Sequence, residues 1–121
     1  MIMARILIVQ DEFLEAERLR QLLEKAGHFI VGVVARTDRA LDTVRQERLD
    51  LAIVDMMLEI DIDGIATATA IHRASGCRIL ITTGFPDWVI KAEGVDDLAC
   101  AIIKKPYKDQ ELLDALNRCL A

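Results

Sequence analysis

Five short runs of the chain are almost wholly apolar: Arg5-Ile6-Leu7-Ile8-Val9, Phe29 to Ala35, Leu51 to Val54, Ile79 to Thr82, and Ala101 to Ile103. Runs of strand length without polar alternation fit strands covered on both faces, as in a parallel sheet. Between them the apolar spacing becomes helical. Leu19, Leu22, Leu23 and Ala26 make one stripe, Glu15, Arg18, Arg20 and Glu24 cover the other side, and Gly27 follows as a left-handed stop. Thr37 or Asp38 is expected to cap a second helix running through Glu47. A third helix is expected from about Gly64 to Ala74, ending near Gly76, and a short fourth from Pro86-Asp87. A fifth runs from Lys108 or Asp109 to Cys119, with Leu112, Leu113, Leu116 and Leu120 facing inward.

Strand and helix alternate five times. Right-handed crossovers then predict an α/β, doubly wound (βα)5 fold of flavodoxin-like type. Its five-stranded parallel sheet has order 2-1-3-4-5, helices lie on both faces, and ligands bind at the carboxyl ends of the strands. No linker, low-complexity tract or repeat interrupts the pattern, so residues 1–121 are expected to form a single domain.

Composition narrows the function classes. With 53% apolar residues a full core can be built. A net charge of −5 disfavours a nucleic-acid partner, which needs a basic surface to displace counterions. No apolar run approaches the roughly 20 residues needed to cross a bilayer. Met1-Ile2-Met3-Ala4-Arg5 lacks a signal-peptide layout, so a cytoplasmic location is expected. Cys77, Cys100 and Cys119 have no metal-ligand spacing and are expected to be reduced thiols packed as small apolar groups.

The candidate chemistry lies just past each apolar run. Gln10, Asp11 and Glu12 follow strand 1, and Asp55 follows strand 3. Thr82, Thr83 and Gly84 end strand 4, and Lys104, Lys105 and Pro106 follow strand 5. In the expected strand order these ends converge on one edge of the sheet. Two carboxylates brought together there repel unless protonated or bridged by a cation. Hard oxygen ligands on an open surface suit magnesium, which keeps several waters and binds through one or two carboxylates. A lysine and a threonine hydroxyl beside them complete a clamp for a phosphoryl group, with a carboxylate as attacking group. Taken singly, each residue has a plain structural reading: a cap, a solvated loop charge, ordinary strand composition. Their shared edge carries the argument.

This constellation resembles the receiver domain of bacterial two-component response regulators, over nearly the whole chain from Ile6 to about Leu120. The carriers are Val9-Gln10-Asp11-Glu12, Asp55, Asp63-Gly64, Thr83-Gly84 and Lys105-Pro106. The resemblance implies that Asp55 is the phosphoacceptor and Asp11 a magnesium ligand, with the backbone carbonyl of Met57 as a further ligand. It implies that Thr83 is the switch hydroxyl, that Lys105 pairs with the phosphoryl oxygens, and that the Lys105-Pro106 bond is cis. The implied partners are a sensor histidine kinase or a histidine phosphotransfer protein, and a downstream protein target. Such a domain is not an enzyme in the ordinary sense, since it promotes only its own phosphorylation and dephosphorylation. No output domain is expected after Ala121, so the phosphorylated state would act through another molecule or pass its phosphoryl group onward. The expected docking face includes the fourth helix, strand 5 and the fifth helix, with Phe85, Trp88, Ile102 and Tyr107 in or beside it; it leaves a homodimer open.

Two positions depart from the pattern. Gln10 stands where the family usually has the first of two adjacent acids; an amide adds no charge but can hold a metal-bound water, and Glu12 could compensate by turning inward. Ile102 stands where many receivers have an aromatic ring coupled to the threonine switch. Ile81-Thr82-Thr83-Gly84-Phe85 is similar to a receiver subgroup with a Phe-Ala-Thr-Gly-Tyr motif, in which the aromatic after the glycine takes part in switching. The loop from Leu58 to Asp63 is expected to be solvated.

Gln10 and Ile102 favour a competing reading, a phosphorylation-independent pseudo-receiver that serves as an interaction module. A small α/β phosphohydrolase is a further competitor. It would want a second acid two positions after Asp55, where Met57 stands, and no Gly-rich phosphate loop is present. His28 and His72 are expected to be surface or packing residues.

Met57 and Phe85 lie two residues after Asp55 and Thr83. The resemblance puts both beside the path of the water that hydrolyses the acyl phosphate, and neither apolar side chain can orient it. Slow autodephosphorylation is therefore predicted. Met57→Asn should shorten the phosphoryl lifetime in a radiolabel chase, and an unchanged decay rate would count against the reading.

Overall fold

The computed structural model describes residues 3–56 and 64–121. In chain order the elements are β1 (Arg5–Val9), α1 (Phe13–Lys25), β2 (Phe29–Val34), α2 (Thr37–Gln46), β3 (Leu51–Asp55) and α3 (Gly64–Ser75). They continue with β4 (Arg78–Thr83), α4 (Asp87–Ala92), α5 (Val95–Leu98), β5 (Ala101–Lys104) and α6 (Asp109–Leu120). All four strand pairings are parallel, and the sheet order is β2-β1-β3-β4-β5. The expected α/β fold and strand order are those observed.

The apolar strands follow from covering both faces. Leu7, Val9, Ala52, Val54, Ile79 and Ile81 face a layer containing Ala40 of α2, Ala68 and Ile71 of α3, Ile90 of α4 and Val95 of α5. The alternate residues Ile6, Ile8, Leu51, Ile53, Leu80 and Ile103 face Leu19 and Leu23 of α1 and Leu112, Ala115, Leu116 and Cys119 of α6. Each fully buried aliphatic side chain contributes about 1.5–3 kcal/mol, so β1, β3 and β4 tolerate no polar alternation. The edge strand β2 leaves Phe29 and Val33 exposed.

Several local expectations are corrected. The single turn α5 was not foreseen, since four residues show no helical period. Helix α2 starts at Thr37 without a side-chain cap; the Thr37 hydroxyl instead lies 2.6 Å from that of Thr67, and Asp38 pairs with Arg36. Cys100 and Cys119 are not reduced: they form a disulfide, with Cα atoms 5.5 Å apart. Sequence spacing could not show that packing of α6 against β5 brings the last turn of one beside the entry to the other. Cys77 is the buried free thiol, and burial pushes its pKa up.

Gly64 opens α3 where the helix meets the end of β3. A Cβ there would lie 2.0 Å from the carbonyl oxygen of Asp55 and 2.7 Å from that of Met56. The contact is with backbone, so no rotamer change relieves it. Gly64→Ala is expected to cost about 2–3 kcal/mol of stability, as overpacking does. Gly84, with no atom within 4 Å of such a Cβ, is the control, and its alanine variant should stay within about 0.5 kcal/mol. Matching urea midpoints for the two variants would contradict this account.

Candidate functional site

The carboxyl ends of β1, β3, β4 and β5 meet at one edge because parallel strands share a direction. Asp55 is the last residue of β3, in register with Thr82 of β4. The residue is nearly buried, at 6% exposure. A buried charge is expensive unless paired and hydrogen-bonded. Oδ2 is met by two donors, the Lys105 ammonium at 2.5 Å and the Gln10 side-chain amide at 2.7 Å.

Gln10 follows β1, and its own N–H reaches the Val34 carbonyl at 2.9 Å. Its side chain is buried, and its Oε1 accepts the Glu12 N–H at 2.9 Å. The reverse amide orientation would set acceptor against acceptor and donor against donor, so the contacts dictate which end faces Asp55. The amide thus gives Asp55 a proton donor and commits its oxygen to the backbone. Glu12 does not turn inward: its carboxylate accepts from the N–H groups of Leu14, at 3.3 Å, and Glu15, at 2.6 Å, capping α1.

Lys105 follows β5 and is held by its N–H on the Thr83 carbonyl, at 2.7 Å. The Lys105-Pro106 bond is cis, as expected. The ammonium also lies 3.5 Å from Oε2 of Glu15 on α1, a neighbour that sequence reasoning missed. An acid in the first turn of a helix reads as dipole compensation, and nothing in the spacing links position 15 to position 105. Thr83 is buried at the end of β4, where its hydroxyl oxygen accepts the Phe85 N–H at 3.0 Å.

The four residues expected on one docking face are not brought together. Phe85 and Ile102 pack against the layer of α2 to α5. Trp88 on α4 is 72% exposed. Tyr107 belongs to the opposite layer, beside α1 and α6. There the Arg18 guanidinium lies 5.0 Å from its ring centre. The Tyr107 hydroxyl is buried with no hydrogen-bond partner among the described residues. Burial pushes its pKa up to about 12, with Arg18 pulling the other way. A chain following the last residues of β5 emerges at the sheet edge and turns toward α6, which carries Tyr107 away from Ile102.

Glu12, Leu14, Glu15, Arg18, Lys105, Pro106 and Tyr107 line an open cleft of about 470 Å³, which Lys105 joins to Asp55. Leu14, which lines it, is exposed.

The donor set can be tested against magnesium. Among the described residues no three acidic, histidine or cysteine side chains converge as a metal cage. Magnesium needs no such cage; it retains waters and takes one or two carboxylates. The carboxylates of Asp11 and Asp55 are donors of the chemistry it takes, whereas Gln10 points its amide nitrogen at Asp55. Met57, expected to add a carbonyl, lies outside the described residues, as does Asp63. The histidines are elsewhere: His28 Nδ1 accepts the Ala4 N–H at 3.1 Å, and His72 Nδ1 lies 2.9 Å from the Cys77 carbonyl. Burial lowers the His28 pKa, in keeping with a neutral acceptor ring. No described helix is long and apolar enough to cross a membrane.

Comparison with known proteins gives the same picture. The chain is 35% identical over 109 residues to the DNA-binding response regulator MtrA of Mycolicibacterium paratuberculosis, covering 90% of this chain and 48% of that protein. It thus spans about half the length of that relative. It is 25% identical over 118 residues to Protein CcdB of Bacillus subtilis, covering 98% of each. The signal receiver domain of a modulated diguanylate cyclase from Desulfovibrio desulfuricans superposes with a TM-score of 0.88 at 26% identity, covering 98% of this chain and 94% of that one. A CheY-like receiver domain protein from Methanospirillum hungatei superposes with a TM-score of 0.86, also at 26% identity and with the same coverage. Residues 6–117 match the family described as the response regulator receiver domain, and the chain belongs to that family.

Proposed function

We propose that the chain is a phosphoacceptor that takes a phosphoryl group onto Asp55 from a phosphohistidine of a sensor kinase or a histidine phosphotransfer protein. A carboxylate oxygen attacks phosphorus; the O–P bond forms as the N–P bond breaks, leaving an acyl phosphate on Asp55 and the donor's histidine. The observation that carries this reading is the nearly buried Asp55 carboxylate with Lys105 at 2.5 Å and the Gln10 amide at 2.7 Å on one oxygen. The carboxylate is oriented before the donor arrives, and an ammonium already stands where negative charge builds up.

In this scheme Lys105 clamps the phosphoryl oxygens and Gln10 orients the carboxylate. Asp11 and Asp55 would hold magnesium, with the Met57 carbonyl as a further ligand. When bound, the ion neutralises charge on the transferring oxygens. The cleft between α1 and Tyr107 offers the donor an approach to Asp55.

Thr83 is the switch hydroxyl. In the structure it accepts the Phe85 N–H; turning toward a phosphoryl oxygen releases that N–H and loosens the turn leading into α4. The added charge on Asp55 and the altered turn then bias α4 and its exposed Trp88 toward a protein target. With Ile102 at the usual aromatic position, Phe85 and Trp88 are the aromatic groups that can report the change on that side. The negative net charge of the chain supports a protein target over a nucleic acid.

Gln10 supports the second reading, the pseudo-receiver, because with Lys105 a neutral donor there stabilises Asp55 without a metal ion. Acetyl phosphate with magnesium separates the two: the wild-type protein should acquire one phosphoryl group by intact mass, and Asp55→Asn none. An unmodified wild type would favour the interaction module.

A carboxylate at position 10 would replace the donor facing Asp55 with like charge, which a cation relieves. Gln10→Asp and Gln10→Glu should therefore both bind magnesium at least severalfold more tightly by calorimetry. Unchanged affinity in both would remove this account of the departure.

A further inference from the structure

The geometry points to Glu15 as a positioning residue: a second anion that shares the Lys105 ammonium with Asp55 before phosphorylation and sets how tightly the site takes an anionic phosphoryl group. The inference rests on the phosphoacceptor reading and adds a residue to it.

The Lys105 ammonium lies between two carboxylates, 2.5 Å from Asp55 and 3.5 Å from Glu15. Neither contact is a loose surface pair. The side chains of Lys105 and Glu15 are 25% and 23% exposed, and that of Asp55 is 8% exposed. Glu15 is also fixed at its backbone, since its N–H donates to the capping carboxylate of Glu12 at 2.6 Å. Its side chain therefore projects from a set point on α1, and Glu15 and Lys105 line the same cleft.

This arrangement moves charge within the site. At position 10, next to Asp55, the chain has a neutral amide. In the first turn of α1 it carries an acid on the lysine side instead. A carboxylate beside Asp55 would favour a cation. A carboxylate beside Lys105 has the opposite use: it holds the ammonium in place and offsets its charge, so the lysine must turn fully from Glu15 to serve the phosphoryl oxygens. A group that brings negative charge to Asp55 meets both this competition and the repulsion of Glu15 itself. A unit charge about 6 Å away changes anion affinity by about threefold in water-like surroundings, and by more where solvent is excluded.

Beryllofluoride with magnesium, titrated by calorimetry, tests this directly. Glu15→Gln should bind about three- to tenfold more tightly than wild type, and Glu15→Ala should tighten likewise. Glu15→Asp, which keeps the charge, should stay near wild type. The gap between wild type and Glu15→Gln should shrink as salt is raised, because screening weakens the charge effect; a purely structural contact would not respond in this way. Thermal melts of each variant separate affinity from loss of fold. Equal or weaker binding by Glu15→Gln, while wild type binds and Asp55→Asn does not, would overturn the role of Glu15 alone. If wild type binds no beryllofluoride, or Asp55→Asn binds it as well, the phosphoacceptor reading falls and this inference with it.

Discussion

The site depends on one electrostatic demand: a carboxylate almost removed from water at the end of the central strand β3. Burying such a charge costs several kcal/mol unless donors replace the lost hydration. Lys105 and Gln10 supply them, one arriving from β5 and the other from β1. The sheet's parallel order makes this meeting available, because neighbouring strands end at the same edge. Gly64 belongs to the same constraint. It lets α3 begin against the backbone that carries Asp55, where no side chain fits.

The sheet also divides the surroundings of that carboxylate. On one side α1 and the segment Lys105-Pro106-Tyr107 after β5 frame an open cleft that includes Arg18 and Glu15. On the other, Phe85 and Ile102 pack with the layer that includes α4 and α5. Thr83 lies at the junction, with its hydroxyl on Phe85 and its carbonyl on Lys105. Thr83 thus joins Lys105, the partner of Asp55, to Phe85 through two hydrogen bonds. The disulfide from Cys100 to Cys119 ties the entry of β5 to α6, at the far end of the sheet from this edge.

The sequence was legible where a signal is local or periodic. Apolar runs marked the five described strands, helical spacing marked α1 and α6, and polar, glycine and proline punctuation located α2, α3 and α4. Polar residues just beyond those runs pointed to Asp55, Thr83 and Lys105, which meet at one edge of the sheet. Reading failed where a side chain has more than one use open to it. Glu12 could face a metal or cap a helix, and it caps, since two N–H groups of the first turn lie within its reach. Tyr107 follows strand 5 closely, yet its layer depends on how the chain turns after Pro106.

By itself the sequence determined the alternation of elements, the burial of the sheet on both faces and the gathering of polar residues at its carboxyl edge. These follow from the period of apolar residues, which each segment carries within itself. The tertiary structure alone decided which end of the Gln10 amide meets Asp55, that Glu15 shares Lys105, that Tyr107 and Ile102 lie on opposite faces, and that two cysteines pair. Each of these depends on distances between segments far apart in the chain. Such distances are set by how helices pack across the sheet, and no local pattern of residues encodes them.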